Sequence, residues 1–425
     1  MEGRQRVVHG GADRLRAEPA RTAKALGTVP LRTPHRWPSL VATALLPALG
    51  ACAAVHRPPA TVASLERDAV GAREVEQATT DSIVDRLARR ALARGDRTVD
   101  ILLLSGGGQG GAYGVGFLRG WKARTEAPMP NFDLVSGIST GALQAPFAFL
   151  GTDAALDTVA ALYRRAARSI APTFDWLFWL RKTGGLVKTT RLERTIVSTM
   201  DTTMQSQLQS AFRDGRQLVI ATTDFDLGIG RTWDLSREFA GGTAALPRVH
   251  TLFLAASAIP GIFPPKVIDG RVHADGGIIA NVHPVLALAQ YEQLAERTRA
   301  LGFKEPVTVR LWVIMNLWAQ IEAKVIAPAS RKAMSDRALL LLFWSQQPQI
   351  LQRLVELTRA VNSDVDGIRM ELHFTTMPAA VAGDPAANKL FDRAFMLRLE
   401  KLGYERALGT SPWDLEPPTP YQRPR

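Results

Sequence analysis

The sequence predicts an α/β fold, a three-layer α/β/α sandwich around a mostly parallel central sheet. The stretch "VDILLLSGGG" at 99–108 is an apolar strand that runs into a glycine loop and then into the helical pattern "AYGVGFLRGWKAR". The stretch "FDLVSG" at 132–137 is a second apolar strand, followed by a tight turn and the helical pattern "TGALQAPFAFLG". Repetition of strand, tight loop and helix is typical of a parallel sheet with helices on both faces.

The composition indicates a globular protein with a basic surface. The chain has 425 residues, of which 46% are hydrophobic and 22% charged, a balance typical of folded domains. Its formal net charge is +12, and residues 1–40 alone hold eight Lys/Arg against three Asp/Glu. Such a charge is compatible with phospholipid headgroups, with nucleic acid or with simple solubility. Because no interleaved basic and aromatic pattern is present, we expect no nucleic-acid partner.

The N-terminal region has the pattern of an export signal. The run "PSLVATALLPALGA" at 38–51 is apolar, follows Arg32 and Arg36, and ends in small residues. It is too short for a comfortable membrane span and is typical of a signal peptide. We therefore predict that residues 1–51 form a cleaved signal peptide.

The single cysteine, Cys52, directly follows that run. One cysteine excludes internal disulfides and cysteine-rich metal sites. The sequence Leu49-Gly50-Ala51-Cys52 resembles the bacterial lipobox, in which the cysteine is acylated and the chain is cleaved before it. This predicts a mature protein that begins at Cys52 and is lipid-anchored in the bacterial cell envelope, more in keeping with the outer than the inner membrane. A plain cleavable signal with an incidental cysteine is the alternative.

The remaining chain divides into four predicted segments. Residues 52–80 are polar and mixed and predict a flexible tether, after which Ser82 reads as the N-cap of a short docking helix that ends at Gly95. We predict the main domain over residues 81–300, a C-terminal α/β extension packed on the same domain over 301–410, and a loose proline-rich tail over 411–425. Further strands are predicted at 216–225, 271–275, 308–316 and 369–375, and further helices at about 330–362 and 386–407.

Gly137-Ile138-Ser139-Thr140-Gly141 is a G-x-S-x-G motif between a predicted strand and a predicted helix. In a nucleophile elbow the serine occupies such a sharp turn, so that its hydroxyl is exposed above the sheet beside a helix N-terminus. Ser139 is therefore the candidate nucleophile.

The first glycine loop follows the strand at 99–104 and contains Gly106, Gly107, Gly108, Gly110 and Gly111. Backbone N–H groups at a helix start bind anions, and an acyl-transfer enzyme would use them as an oxyanion hole. The spacing also satisfies the dinucleotide pattern G-x-G-x-x-G, which requires an acidic residue at the end of the next strand. Here Asp133 begins that strand, so the dinucleotide interpretation is disfavoured.

Asp275-Gly276-Gly277 ends the predicted strand "RVHAD". An Asp-Gly pair is by itself most often only a turn, but an aspartate at a strand end can also reach a serine from another strand. A histidine triad is the alternative: Ser139, Asp226 or Asp269, and His273 or His283 would keep the order Ser…Asp…His of α/β-hydrolases.

Taken in order, the three glycine-bearing motifs resemble the patatin-like phospholipase family, as do "AASAIPGIFPP" at 255–265 and "ANVHP" at 280–284. The similarity covers about residues 99–290. It implies a patatin-like α/β/α fold and a Ser–Asp dyad in which Ser139 attacks a lipid ester and Asp275 takes its proton. It further implies oxyanion binding by the amides of the glycine loop. Many members carry Lys or Arg where this chain has Gly110, so the amides would act without a cation there.

These inferences predict a membrane-anchored lipid acyl hydrolase that cleaves phospholipid or lysophospholipid through an acyl-enzyme. A transacylase is a near variant, and a catalytically silent envelope lipoprotein or a Ser–His–Asp esterase are the alternatives. No metal-ligand motif is present, and no cofactor is expected. The aromatic run "FDWLFWL" at 174–180 is interpreted as core rather than as an acyl groove or a membrane contact.

Overall fold

The computed structural model describes residues 57–176, 184–318, 324–389, 391–414 and 416–417. The predicted signal peptide and Cys52 lie outside the described residues. The helices are α1 Val62–Arg94, α2 Gly111–Lys122, α3 Thr140–Leu150, α4 Asp153–Arg164, α5 Ala166–Ser169, α6 Thr190–Thr199, α7 Thr202–Arg213, α8 Leu235–Glu238, α9 Leu246–Ala256, α10 Leu288–Ala300, α11 Arg331–Asp364 and α12 Arg393–Leu408. The strands are β1 Thr98–Leu104, β2 Leu134–Gly137, β3 Thr173–Phe174, β4 Val187–Lys188, β5 Gln217–Asp224, β6 Ile229–Asp234, β7 Lys266–Ile268, β8 Arg271–Asp275, β9 Val307–Trp318 and β10 Ile368–Met377.

The central sheet is mixed and mostly parallel, as the sequence predicts. Its strand order is β10-β9-β1-β2-β5-β8-β7, with β6 also paired to β5. The first five strands of that order run parallel to one another. Strands β6 and β8 run antiparallel to β5, and β7 runs antiparallel to β8. Strands β3 and β4 form a separate two-stranded ribbon.

Helices cover both faces of the sheet, which confirms the three-layer prediction. Alternate residues of β1 enter different cores: Ile101 and Leu103 pack with α1, α10 and α11, whereas Leu102 and Leu104 pack with α2, α3 and α4. Because side chains alternate along a strand, a sheet buried on both faces needs an unbroken apolar run. The letters "ILLL" of β1 supply it.

The C-terminal part belongs to the same sheet. Strand β9 lies between β1 and β10. Residues beyond 300 therefore contribute an inner strand, β9, and an edge strand, β10, to the sheet, rather than only a layer packed on it. Helix α12 lies directly against α2, and a Cβ atom at Gly403 would be 2.0 Å from the Tyr113 carbonyl oxygen. Helix α12 of the C-terminal extension therefore packs against α2 at a distance that only glycine at position 403 permits.

The flexible tether predicted for 52–80 is wrong over most of its length, because α1 begins at Val62 and Ser82 lies in its interior. Thr61 and Ser64 form a capping box, with each side chain accepting from the other residue's backbone N–H. Further along, the Glu76 carboxylate accepts the Thr232 N–H at 3.2 Å. The capping box and the polar contacts stabilise this first part of α1. A search for apolar residues at helical spacing does not detect such interactions.

The tail predicted as loose from 411 is anchored at its start. The Asp414 N–H donates to the Phe374 carbonyl at 2.7 Å, and the Asp414 carboxylate accepts from Arg406 at 2.6 Å. The Trp413 ring lies 4.8 Å from Trp121 and 5.0 Å from Trp312, centroid to centroid. Among the described residues, no helix has both the length and the apolarity that crossing a bilayer requires.

Candidate active site

Ser139 lies in the sharp turn between β2 and α3. Its φ of 52° and ψ of −120° place it in a region that non-glycine residues rarely adopt. The turn lies against the end of β1, where a Cβ atom at Gly141 would be 2.3 Å from the Leu104 carbonyl oxygen. The serine thus occupies a strained backbone position at a helix N-terminus, which is the geometry of a nucleophile elbow.

Asp275 approaches Ser139 because β2 and β8 share one edge of β5. Strand β6 pairs with 219–224 of β5, so β2, which pairs with 217–220, and β8, which pairs with 222–224, both occupy the opposite edge. Since β2 runs parallel and β8 antiparallel to β5, their carboxyl ends point at each other. Gly137 lies opposite Ile220 and Asp275 opposite Thr222, only about 7 Å apart along β5.

The Ser139 side chain lies beside the Asp275 carboxyl group, and its hydroxyl lowers the pKa of that group as a hydrogen-bond donor does. Asp275 Oδ1 also accepts the Gly277 N–H at 2.8 Å. Both residues are buried, with Ser139 8% and Asp275 5% exposed. Burial raises the pKa of Asp275 to about 6, although the bonds from Ser139 and Gly277 act in the opposite direction. The structure thus brings the predicted nucleophile and base together in one cavity.

The glycine loop lies beside this pair, but only part of it is available to bind an anion. The Gly106 N–H donates to the Asn281 carbonyl at 3.0 Å, and that of Gly110 donates to the Gly107 carbonyl at 2.9 Å. The Gly111 N–H likewise donates to the Gly108 carbonyl. These three amides are committed inside the protein, so the prediction of five oxyanion donors is too broad.

Gly107 and Gly108 are the two predicted donors that remain. Both line the cavity that contains Ser139 and Asp275. Neither N–H donates a backbone hydrogen bond within the described part of the chain. Their φ angles are 158° and 54°, and a Cβ atom at Gly107 would be 2.2 Å from the Asn316 carbonyl oxygen. The loop therefore needs glycine for both its conformation and its contact with β9.

Residues beyond the recognised motifs hold this loop in place. Gln109 Nε2 donates to the Ala386 carbonyl at 2.9 Å, and Gln109 Oε1 accepts the Asp392 N–H at 2.9 Å. Asn316, at the end of β9, donates to the Ser105 carbonyl at 2.7 Å. The sequence offers one signal for Asn316, a polar residue at the carboxyl end of a buried strand, and none for 386–392.

Asn281 is a further site residue that sequence reasoning missed. Its Nδ2 donates to Gln347 Oε1 in α11 at 2.8 Å, and its backbone carbonyl accepts from Gly106. It also lines the cavity with Ser139. Asn281 therefore connects the glycine loop to the C-terminal helix α11, a connection that only the tertiary fold reveals.

The structure does not support the histidine triad. His273 Nδ1 is 3.0 Å from Thr222 Oγ1, and His283 Nε2 is 2.9 Å from Thr232 Oγ1. Within the described residues neither imidazole is hydrogen-bonded to Ser139. Burial lowers the pKa of both imidazoles to about 4, which indicates two neutral structural histidines.

The carboxylates that such a triad would need are paired elsewhere. Asp269 accepts from Arg248 at 2.8 Å, and Asp226 accepts from Arg57 and from the Val272 N–H. Asp133, which the dinucleotide interpretation would need at the far end of β2, lies before that strand and accepts from Arg94 at 2.7 Å. Both alternatives therefore lack their acidic residue.

The cavity above Ser139 has a volume of about 850 Å³. Its aliphatic lining residues are Ile259, Ile262, Ile278, Leu317, Val325 and Ile326. A mostly apolar cavity with a few polar groups is typical of a site for a small molecule with an apolar body. Within the described ranges, no cluster of three or more His, Cys, Asp or Glu side chains could hold a metal ion.

The aromatic run predicted as core is exposed where it is described. Phe174 is 66% and Trp176 69% exposed, while residues 177–180 lie outside the described residues. The core interpretation is therefore wrong for these two side chains.

Comparisons with known proteins give one family match and one structural neighbour. Residues 102–289 match the sequence model of the family described as patatin-like phospholipase. Among solved structures, VipD from Legionella pneumophila matches with 14% sequence identity and a TM-score of 0.33. That match covers 73% of this chain and 66% of VipD. No curated protein sequence matches the chain significantly.

Proposed function

We propose, from the premise that residues 102–289 form a patatin-like phospholipase domain, that this protein is a serine hydrolase that cleaves lipid carboxylic esters through an acyl-enzyme. The observation that carries the proposal is that Ser139 and the Asp275 carboxyl group are both buried and lie together in the lining of one mostly apolar cavity.

In the first half of the reaction, the Asp275 carboxylate accepts the hydroxyl proton as Ser139 Oγ attacks the ester carbonyl carbon. The tetrahedral intermediate then expels the alcohol, which takes the proton back from Asp275. In the second half, Asp275 removes a proton from a water molecule that attacks the acyl-serine. The fatty acid leaves, and Ser139 recovers its proton.

Burial makes a carboxylate a more effective base for this step. An exposed carboxylate has a pKa far below that of a serine hydroxyl, whereas burial raises the pKa of Asp275 to about 6. An acyl chain that fills the apolar cavity would exclude more water and strengthen both the base and the oxyanion contacts. A lipid substrate and a Ser–Asp pair without histidine are therefore chemically consistent.

The oxyanion would be bound by the Gly107 and Gly108 amides. These groups line the cavity beside Ser139, and the N-terminus of α3 adds a favourable partial charge at the serine. Preorganised donors of this kind contribute about 10²- to 10³-fold to the rate in other acyl-transfer enzymes. Here they act without the cation that many family members carry at the position of Gly110.

The test is ester hydrolysis by the full chain, first on short-chain esters and then on phospholipids and lysophospholipids. Ser139→Ala and Asp275→Asn should each reduce kcat by at least about 10³-fold with unchanged circular dichroism. His273→Ala, two residues from the base, is the matched control and should keep activity. Turnover that survives in either of the first two variants would remove the dyad. Binding of lipid without hydrolysis by the unmodified chain would favour a silent lipid-binding lipoprotein.

We further propose that acylated Cys52 anchors the protein in the bacterial cell envelope. The proposal is supported by the sequence Leu49-Gly50-Ala51-Cys52 and by the signal-like segment before it. Several acyl chains on one residue anchor a protein stably, whereas a single chain does not. The mass of the N-terminal peptide of protein isolated from membranes tests it: an unmodified cysteine would refute the anchor.

A further inference from the structure

The cavity above Ser139 has a strongly biased charge. Three basic residues line it: Lys324 before α11, Arg337 within α11, and Lys389 before α12. Asp275 is the only acidic residue that lines it among the described residues. Apart from Asp275, which is buried beside Ser139, the charged residues that line the cavity in the described part of the chain are all cationic.

Lys324 and Lys389 are exposed and Arg337 is half-buried, whereas the reactive pair is buried at the floor. Lys324 is exposed, and its neighbour Val325 is 89% exposed. The Lys389 side chain is 65% exposed and lies 3.5 Å from Asp392. Ser139 and Asp275 are, by contrast, 8% and 5% exposed. A molecule bound here would meet apolar and reactive surface inside and positive charge at the entrance.

That order of polarity matches an amphiphile with an acyl chain and an anionic head. Lysine and arginine bind phosphate oxygens, arginine through its planar fork and lysine as a point charge. All three residues lie beyond the family match, which ends at residue 289. The basic character of the entrance is thus a property of this chain's own C-terminal part.

We propose that Lys324, Arg337 and Lys389 form a phosphate subsite at the cavity entrance, which selects phosphate-bearing lipids over neutral esters. This inference rests on the proposed function for its position relative to the scissile ester. Binding of a phosphate group at the subsite can be measured without turnover.

The binding arm uses full chain that carries Ser139→Ala, titrated by calorimetry with dodecyl phosphate, decyl glucoside and inorganic phosphate. Dodecyl phosphate should bind, and Lys324→Gln/Arg337→Gln/Lys389→Gln should weaken that binding about tenfold or more. Decyl glucoside should bind both forms alike. Tight binding of inorganic phosphate alone would indicate a free-anion site and overturn the lipid assignment. Equal binding of dodecyl phosphate by both forms would overturn the subsite.

Lys304→Gln is the matched control. Lys304 is exposed and precedes β9, at the end of the sheet opposite the cavity. The substitution therefore removes one positive charge without changing the cavity entrance. Melting temperatures of all variants establish that they fold. The single charge reversal Lys389→Glu should weaken dodecyl phosphate binding even if the triple variant proves unstable.

The kinetic arm separates this inference from the proposed function. With Ser139 intact, the triple variant should raise KM for a phospholipid about tenfold, leave kcat within twofold, and leave hydrolysis of a monoacylglycerol with the same acyl chain unchanged. Equal losses on both substrates would refute headgroup selection. If the unmodified chain binds dodecyl phosphate selectively but hydrolyses no ester, the proposed function fails while the phosphate subsite stands.

Discussion

The segment 102–289 and the segment 301–410 contribute to the same cavity in different ways. The first supplies the reactive pair and the glycine loop, and each of these is a short motif at the end of a strand. The second supplies β9 and β10, the supports of the glycine loop and the cationic entrance. The reactive groups thus depend on local turns, whereas the shape and charge of the cavity depend on residues that only the tertiary structure brings together.

If the glycine loop acts through its amides, a change within it should have a larger effect on rate than a change in the residues that support it. Gly107→Ala would place a Cβ atom 2.2 Å from the Asn316 carbonyl oxygen and displace the loop. We expect kcat to fall about 10²- to 10³-fold, the range for loss of an oxyanion donor. The measurement is steady-state kinetics on a short-chain ester.

Gly228→Ala is the control for that change. Gly228 also has a positive φ, 67°, but no atom within 4 Å of its ideal Cβ position, and it lies in the turn between β5 and β6. It should cost about 1 kcal/mol of stability and no activity. Equal activity losses in the two variants would mean that Gly107 acts through folding alone.

The next effect concerns pH. Because the base must be ionised and burial raises the pKa of Asp275 to about 6, kcat/KM should fall about tenfold per unit as pH drops below that value. The measurement is a profile of kcat/KM between pH 4.5 and 9 on an uncharged ester. A plateau that extends unchanged to pH 4.5 would contradict the role of Asp275 as base.

A change in the support of the loop should have a smaller effect. Gln109→Ala removes a donor to the Ala386 carbonyl and an acceptor for the Asp392 N–H. It should lower stability by about 1–3 kcal/mol and kcat severalfold, because the loop loses its hold on the C-terminal part.

Gln217→Ala is the matched control for Gln109. Gln217 is also buried and donates to a backbone carbonyl, that of Ile83 at 3.2 Å, but it begins β5 at the opposite end of the sheet. It should lower stability and leave kcat unchanged. A loss of kcat in both variants would show that the effect of Gln109 is general.

The smallest expected effect is on stability. A carboxyl group with a raised pKa stabilises the fold when protonated, so its contribution is present below pH 4 and is lost as pH rises through about 6. Asp275→Asn should remove this loss and be more stable than the unmodified chain at pH 7.5, by on the order of 2 kcal/mol. Urea denaturation of both proteins between pH 4 and 8 measures the difference, which should vanish at the acidic end.

The sequence predicts the reactive pair well because each member belongs to a local pattern. Ser139 follows an apolar strand and lies between glycines, and Asp275 ends a strand before two glycines. Their meeting depends on β8 running antiparallel beside β5, end to end with β2, and no local pattern specifies that pairing.

The features that the sequence analysis missed are nonlocal or polar. Helix α1 is stabilised by its cap and by side-chain contacts to β6, so its composition resembles that of a tether. The commitment of the Gly106, Gly110 and Gly111 amides depends on partners in the folded loop and in Asn281. The cationic entrance combines residues from 324 to 389, which are far apart in sequence and meet only in the folded cavity.

The most direct test of the central claim is covalent labelling of the full chain with an alkyl fluorophosphonate. An activated serine oxygen attacks the phosphorus of this reagent and displaces fluoride. We expect one adduct on the peptide that contains Ser139, none in Ser139→Ala, and much slower labelling in Asp275→Asn. Labelling of another serine, or labelling at an equal rate when Asp275 is replaced, would contradict it.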